Sequence, residues 1–283
     1  MELDSSVHAK TAGGRLDVGL QSSGAVAPTT ARRTFAQRYR LIRSRWNEEW
    51  WSIMLGGPLG NLINALIADV AWVTPNRITC VGFLLKLVGG PLLLLRTPSA
   101  DVLAVVLLQL NVVCDCMDGS LARYRKAASV LGSFLDKITD VLGLLTVMAA
   151  VGWRVYLDTG DAGALLVAVL AGTSIVVRGY VYWVVAHLER ERQVEAPSVG
   201  VDARLDCSAL TLGGRARLML RSMPRIIAFS ESDLFFWIGL GIVLGRLRAA
   251  TYLIGLATAA WLLVMLAIRG RTVLALERAR RRR

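Results

Sequence analysis

From residue 59 onward apolar residues gather into long runs separated by short polar breaks. Six of these runs approach or exceed the roughly 20 residues a helix needs to cross a bilayer. They cover residues 76–95, 100–117, 130–157, 162–188, 226–247 and 251–268. The first begins at Thr74-Pro75-Asn76, a capping hydroxyl followed by a proline suited to the first helical position. The second is expected to continue past the membrane face as a helix that reaches Arg123.

The chain before residue 74 has a different pattern. Residues 1–30 are rich in Ser, Gly, Thr and Ala without periodicity, and lack the basic-then-apolar order of a secretory signal, so a disordered tail is expected. Residues 31–54 mix Arg32, Arg33, Arg38, Arg40, Arg43 and Arg45 with Phe35, Tyr39, Trp46, Trp50 and Trp51, which suits an amphipathic helix in the headgroup layer. Gly56, Gly57 and Pro58 break the chain, and the short stretch 59–73 carries Asn61, Asn64 and Asp69 and is expected to be interfacial or partly buried. A polar loop follows residue 190, and a basic tail covers 271–283. The expectation is an all-α integral membrane protein: a tail over 1–30, juxtamembrane helices over 31–73, a six-helix transmembrane domain over 74–270, and the basic tail.

Composition supports a membrane class and excludes an ordinary soluble domain, since 54% of the 283 residues are hydrophobic. The net charge of +12 needs no nucleic acid to explain it, because it concentrates in the loops and ends. Of the lysines and arginines, 26 fall on one side of the expected spans and 4 on the other, which places both termini on the cytoplasmic side, in the inner membrane if the cell is bacterial. Most tryptophans fall near expected membrane boundaries, where interface anchoring accounts for them. Cys80, Cys114, Cys116 and Cys207 have no metal-binding spacing and read as reduced thiols, and two histidines give little material for a histidine-based site.

Chemistry concentrates in residues 115–140. Asp115 and Asp118 lie three apart on one helix face, continued by Gly119, Ala122 and Arg123, while Gly132, Asp136 and Asp140 repeat every four residues on the next helix. If the stripes meet, each pair of carboxylates repels by about 4 kcal/mol at an effective dielectric near 20, a conflict that a divalent cation removes. An all-oxygen ligand set suits Mg²⁺, Mn²⁺ or Ca²⁺. Gly119 and Ala122 allow a ligand close to the backbone, and Arg123 offers a fork for a phosphate. Asp136 and Lys137 are neighbours expected on different faces, which weakens pairing between them.

The pattern Asp115-x2-Asp118-Gly119-x2-Ala122-Arg123-x8-Gly132-x3-Asp136-x3-Asp140 resembles the full signature of the CDP-alcohol phosphotransferase (CDP-alcohol phosphatidyltransferase) family, with no departure at its eight fixed positions. Pro75, Asn76 and Thr79 also resemble that family's entry to its first membrane helix. The resemblance implies a six-helix membrane fold, usually a homodimer, that transfers a phosphoalcohol from a CDP-linked donor to an alcohol and releases CMP. It implies two divalent ions, Mg²⁺ or Mn²⁺, held by Asp115, Asp118 and Asp136, with Asp140 sharing the second ion or standing beside it and serving as the general base. Gly119, Ala122 and Gly132 would border the cytidine and Arg123 would hold a phosphate. CDP-diacylglycerol with a small polar acceptor is the leading substrate pair, CDP-choline, CDP-ethanolamine or CDP-inositol donors the alternative. An ion-coupled transporter is the competing class, and the fixed Gly, Ala and Arg positions argue against it.

Three further features carry two readings each. Arg178 is a second phosphate ligand or the partner of Asp233. Lys86 snorkels along its stem or points into the polar cavity. Arg215, Arg217, Arg221 and Arg225 form a membrane-surface anchor or a site for a phosphorylated acceptor.

Overall fold

The computed structural model describes residues 33–42, 49–191, 220 and 229–281. The expected tail, Trp46, Cys207 and the cluster of Arg215, Arg217, Arg221 and Arg225 lie outside the described residues. Among the described residues every regular element is helical. The helices are α1 (Phe35–Ile42), α2 (Gly57–Ile67), α3 (Pro75–Leu92), α4 (Pro98–Tyr124), α5 (Val130–Thr159), α6 (Ala162–Glu191), α7 (Glu231–Val243) and α8 (Leu247–Arg281).

Their boundaries follow local chemistry. Thr74 caps α3 by accepting from the Arg77 amide at 3.3 Å, and Thr97 caps α4 in the same way through the Ala100 amide at 3.3 Å. Ser129 caps α5 through the Gly132 amide at 3.0 Å, and α5 ends at Gly160, whose φ of +71° is the left-handed conformation a helix terminus takes. Ser230 and Asp233 form a reciprocal capping box at the start of α7.

Four helical stretches are long and apolar enough to cross a membrane: Pro75–Leu95, Pro98–Tyr124, Ala162–Glu191 and Leu247–Arg278. Their outer faces expose Leu84, Val102, Leu166 and Leu263, as a lipid-facing surface does. The six-span expectation therefore rests on these four. α5 has the length of a span but carries Asp136, Lys137, Asp140, Arg154 and Asp158, while the 13 residues of α7 reach only about 20 Å. α8 continues to Arg281, so much of the expected basic tail is helical.

α3 and α4 pack along each other, α5 packs on α3 and α6, and α8 packs on α6 and α7. One buried cluster joins them, with Leu108 and Val112 of α4, Leu144 and Met148 of α5, Phe235 and Ile238 of α7, and Ile254 of α8.

The N-terminal segment departs from a helix lying wholly in the headgroup layer. α1 is eight residues long, and the chain described again from Glu49 turns inward. Trp50 is buried, and Trp51 packs on Phe236 with ring centroids 4.4 Å apart while its indole N–H donates to Gln109 at 2.6 Å. These two tryptophans serve the core instead of an interface. Asn61 and Asn64 of α2 are buried too, and Asn64 donates at 2.7 Å to both the Met117 carbonyl and the Ser120 hydroxyl of α4.

Candidate active site

The helical period sets Asp115 and Asp118 one turn apart on α4, and Asp136 and Asp140 one turn apart on α5. The two pairs meet: Asp115, Asp136 and Asp140 each offer a carboxylate oxygen lying within 4.8 Å of the others. Asp118 lines the same cavity of about 350 Å³ and is held within the protein on both sides. Its Oδ2 accepts from the Thr79 hydroxyl at 2.5 Å, and its Oδ1 accepts from the Gly119 amide at 2.5 Å.

Lys86 of α3 is the most deeply placed cation among the described residues. It is 2% exposed, lines the cavity and donates to Asp140 at 3.1 Å and to Glu231 at 2.9 Å, which removes the snorkelling alternative. Lys137 donates to Asp136 at 2.8 Å, contrary to the expectation that neighbours on different faces pair poorly. Its long, flexible stem lets the ammonium curl back to the adjacent carboxylate.

Gly119 and Arg123 line the cavity, and a Cβ at position 119 would stand 3.2 Å from an Arg123 guanidinium nitrogen, so that side chain lies against the glycine. Ala122, Gly132 and Arg178 are not among the cavity-lining residues. Gly132 instead meets α3, where a Cβ would stand 2.9 Å from Asn76 Oδ1. Arg178 donates to the Phe229 carbonyl at 2.8 Å, whereas Asp233 accepts from the Ser230 hydroxyl and from the Trp51 amide.

Two carboxylates escaped the sequence reading. Glu231 opens α7 within an apolar run, so the rule that intramembrane acids have functions could have flagged it. Glu49 gave little local signal, since the partner that ties it to α7, Ser232, is distant in sequence. It accepts from the Ser232 hydroxyl at 2.5 Å and from Ser52 at 3.1 Å, and lines the cavity with both. Burial pushes the Glu49 carboxyl above its ordinary range, the Ser232 hydroxyl pulls against that, and the charge of Asp233 adds to the rise.

The cavity thus gathers six carboxylates against Lys86, Lys137 and Arg123. Paired oxygens at this separation suit a hard cation, which coordinates oxygen at about 2.0–2.6 Å. The described ligands contain no imidazole, and Cys116 is the one thiol in the lining.

The model of the CDP-alcohol phosphatidyltransferase family matches residues 72–244, well over half of the chain. The chain belongs to this family. Members of the CDP-alcohol phosphatidyltransferase family generally use divalent metals, in keeping with the acidic cluster, and the family together with the four apolar helices makes this an integral membrane protein.

Individual relatives match over shorter stretches. The chain is 41% identical over 68 residues to a bifunctional IPC transferase and DIPP synthase of Thermococcus kodakarensis, covering 24% of this chain and 15% of that one. It is 36% identical over 70 residues to an archaetidylinositol phosphate synthase of Pyrococcus horikoshii, covering 25% of this chain and 36% of the relative. An uncharacterized protein of Aquifex aeolicus is 34% identical over 99 residues, covering 35% of this chain and 48% of the relative. The chain thus spans less than half the length of each of these relatives.

Proposed function

We propose that this protein moves a phosphatidyl or similar phosphoalcohol unit from a CDP-linked donor to the hydroxyl of a small polar alcohol and releases CMP. The observation that carries this reading is the convergence of Asp115, Asp136 and Asp140 from two helices, with Asp118 and Arg123 on the same cavity. A transporter would need acids but has no use for the accompanying glycine and arginine.

Asp115, Asp118, Asp136 and Asp140 are the residues that would hold two divalent ions, Mg²⁺ or Mn²⁺. When bound, such ions neutralise the pyrophosphate and the departing phosphate of CMP. The protein's own part is positioning and proton transfer. Arg123 is suited to bind a donor phosphate, and Gly119, against which its guanidinium lies, would border the cytidine. As the acceptor oxygen bonds to phosphorus, the bond from phosphorus to the CMP oxygen breaks and the acceptor's proton passes to Asp140. Ala122, Gly132 and Arg178 act from outside the described cavity lining on this reading, Ala122 and Gly132 by shaping the helices that border the cytidine.

CDP-diacylglycerol is the leading donor. The name of the Pyrococcus relative places an inositol phosphate unit in its product, so an inositol phosphate heads the acceptor panel, with glycerol 3-phosphate and serine beside it. The charge asymmetry supports a site opening to the cytoplasm, where CDP-linked precursors are available. A homodimer in the membrane is the assembly proposed. The test is to incubate purified protein with Mg²⁺, CDP-diacylglycerol and each acceptor, reading CMP release and the lipid product by mass spectrometry. Acceptor-dependent CMP release supports the reading. Solute flux in proteoliposomes without CMP release from any CDP-linked donor overturns it.

A further inference from the structure

Lys86 has no place in the eight-residue acidic signature, yet it is the buried cation of the cavity. An ammonium at such a position is tolerated only when it is paired and hydrogen-bonded. Its partners come from two other helices, Asp140 of α5 and Glu231 of α7, at 3.1 and 2.9 Å. The backbone of α5 is shaped for this contact. Gly143 lies on the face of Asp140, and a Cβ there would stand 2.6 Å from Cε and 2.7 Å from Cδ of Lys86. The lysine stem therefore packs directly on the α5 backbone at Gly143, and a side chain there would force the stem to shift.

The formal charges show what this arrangement achieves. Lys86 with Asp140 alone would be neutral, and the centre would lose one of its anionic groups. With all three groups ionised, Glu231 leaves the trio with one net negative charge, the charge of a lone carboxylate. Asp140 thus has one oxygen held by a buried donor while the trio keeps the electrostatic value of an aspartate.

We propose that Lys86, balanced by Glu231, is the positioning residue that fixes Asp140 for proton acceptance without cancelling the negative charge of the acidic centre. This deepens the transferase reading and rests on it for the kinetic arm of the test. Charge and orientation separate in variants. Glu231→Gln makes the trio neutral and weakens binding of Mn²⁺, read by electron paramagnetic resonance without donor, by about tenfold or more. Lys86→Met makes it doubly negative, so Mn²⁺ binding tightens or holds while kcat for CMP release falls by about tenfold or more with the donor KM within about twofold. A mere staple between helices would weaken Mn²⁺ binding in both variants alike.

The combined change Lys86→Met with Glu231→Gln keeps the formal charge and leaves neither the ammonium nor the Glu231 carboxylate buried without the other, so it preserves the fold if either single change does not. It is expected to bind Mn²⁺ within about threefold of the parent and to keep the low kcat. Parental kcat in the combined variant overturns the proposal, as does weaker Mn²⁺ binding of equal size in both single variants. If the parent protein releases CMP from no CDP-linked donor, the transferase reading fails, while the opposed Mn²⁺ shifts still report whether the charge balance is as described.

Discussion

The hydroxyl of Thr79 offers a sharp test of how the acidic centre is supported, because a single hydrogen bond at 2.5 Å links it to Asp118 on a different helix. Thr79→Val keeps the shape and deletes the donor. A hydrogen bond to a charged group contributes about 1.5–3 kcal/mol. The Thr79 hydroxyl also lies 3.2 Å from the Pro75 carbonyl, but that carbonyl sits one helical turn back and does not depend on it. Almost all of the loss therefore falls on the orientation of Asp118. At about 1.4 kcal/mol per factor of ten, the expected cost is about 10- to 100-fold in metal affinity or activity, the range seen when a partner of a metal ligand is removed. The assay is CMP release across a Mg²⁺ titration, with direct Mn²⁺ binding as the second readout. Thr79→Ser, which keeps the hydroxyl, should stay within about threefold of the parent. Thr79→Val within twofold of the parent in both readouts would refute the reasoning, and equal damage from Ser and Val would shift the role from the hydroxyl to the methyl group.

Asp140→Asn should lower kcat by about 10²–10⁴-fold, the usual contribution of a general base, while CDP affinity measured by calorimetry stays within about threefold; full activity in that variant removes Asp140 from the role. Arg125 donates to the carbonyls of Ala68, Val70 and Val73 at 3.0, 2.8 and 2.5 Å, so it ties the end of α4 to the turn between α2 and α3. Arg125→Met should cost about 2–4 kcal/mol, a fall of about 5–15 °C in thermal midpoint, and Arg125→Lys should recover less than half of it because an ammonium cannot match the planar fork. Asp161 accepts from the Tyr252 hydroxyl at 3.0 Å and from Arg248 at 2.8 Å, and these, the hydroxyl foremost, hold its carboxyl below the ordinary range. Its stabilising effect is therefore present above the ordinary carboxylate range and disappears as pH falls through the lowered value, so the midpoint gap between parent and Asp161→Asn should close on acidification.

The parts of this molecule that could be read in advance are those governed by short-range rules. Thr74 and Pro75 start α3 through contacts within a few residues, and the spacing of the aspartates converts directly into facing stripes because the helical period is fixed. Contacts between distant segments left no such trace. Trp51 depends on Gln109 and Phe236, and nothing near Trp51 indicates that its indole N–H would find an amide on α4. Glu49 reaches the cavity through Ser232, 183 positions further along the chain, while its immediate surroundings look like a basic, aromatic surface helix. Lys137 pairs with its neighbour because facing directions describe Cβ atoms, and a four-carbon stem can turn well away from its Cβ. Four of the six expected crossings coincide with long apolar helices, whereas α5 devotes part of its length to charged groups, so composition does not mark it as a span.

The inward turn of residues 49–61 has a practical result. The family match begins at residue 72, yet Glu49, Ser52, Gly57 and Asn61 form one side of the cavity. A fragment trimmed to the shared core would keep every signature aspartate and still lose these four lining residues of the cavity. In this chain, what the cavity admits therefore depends in part on residues that lie upstream of the family match.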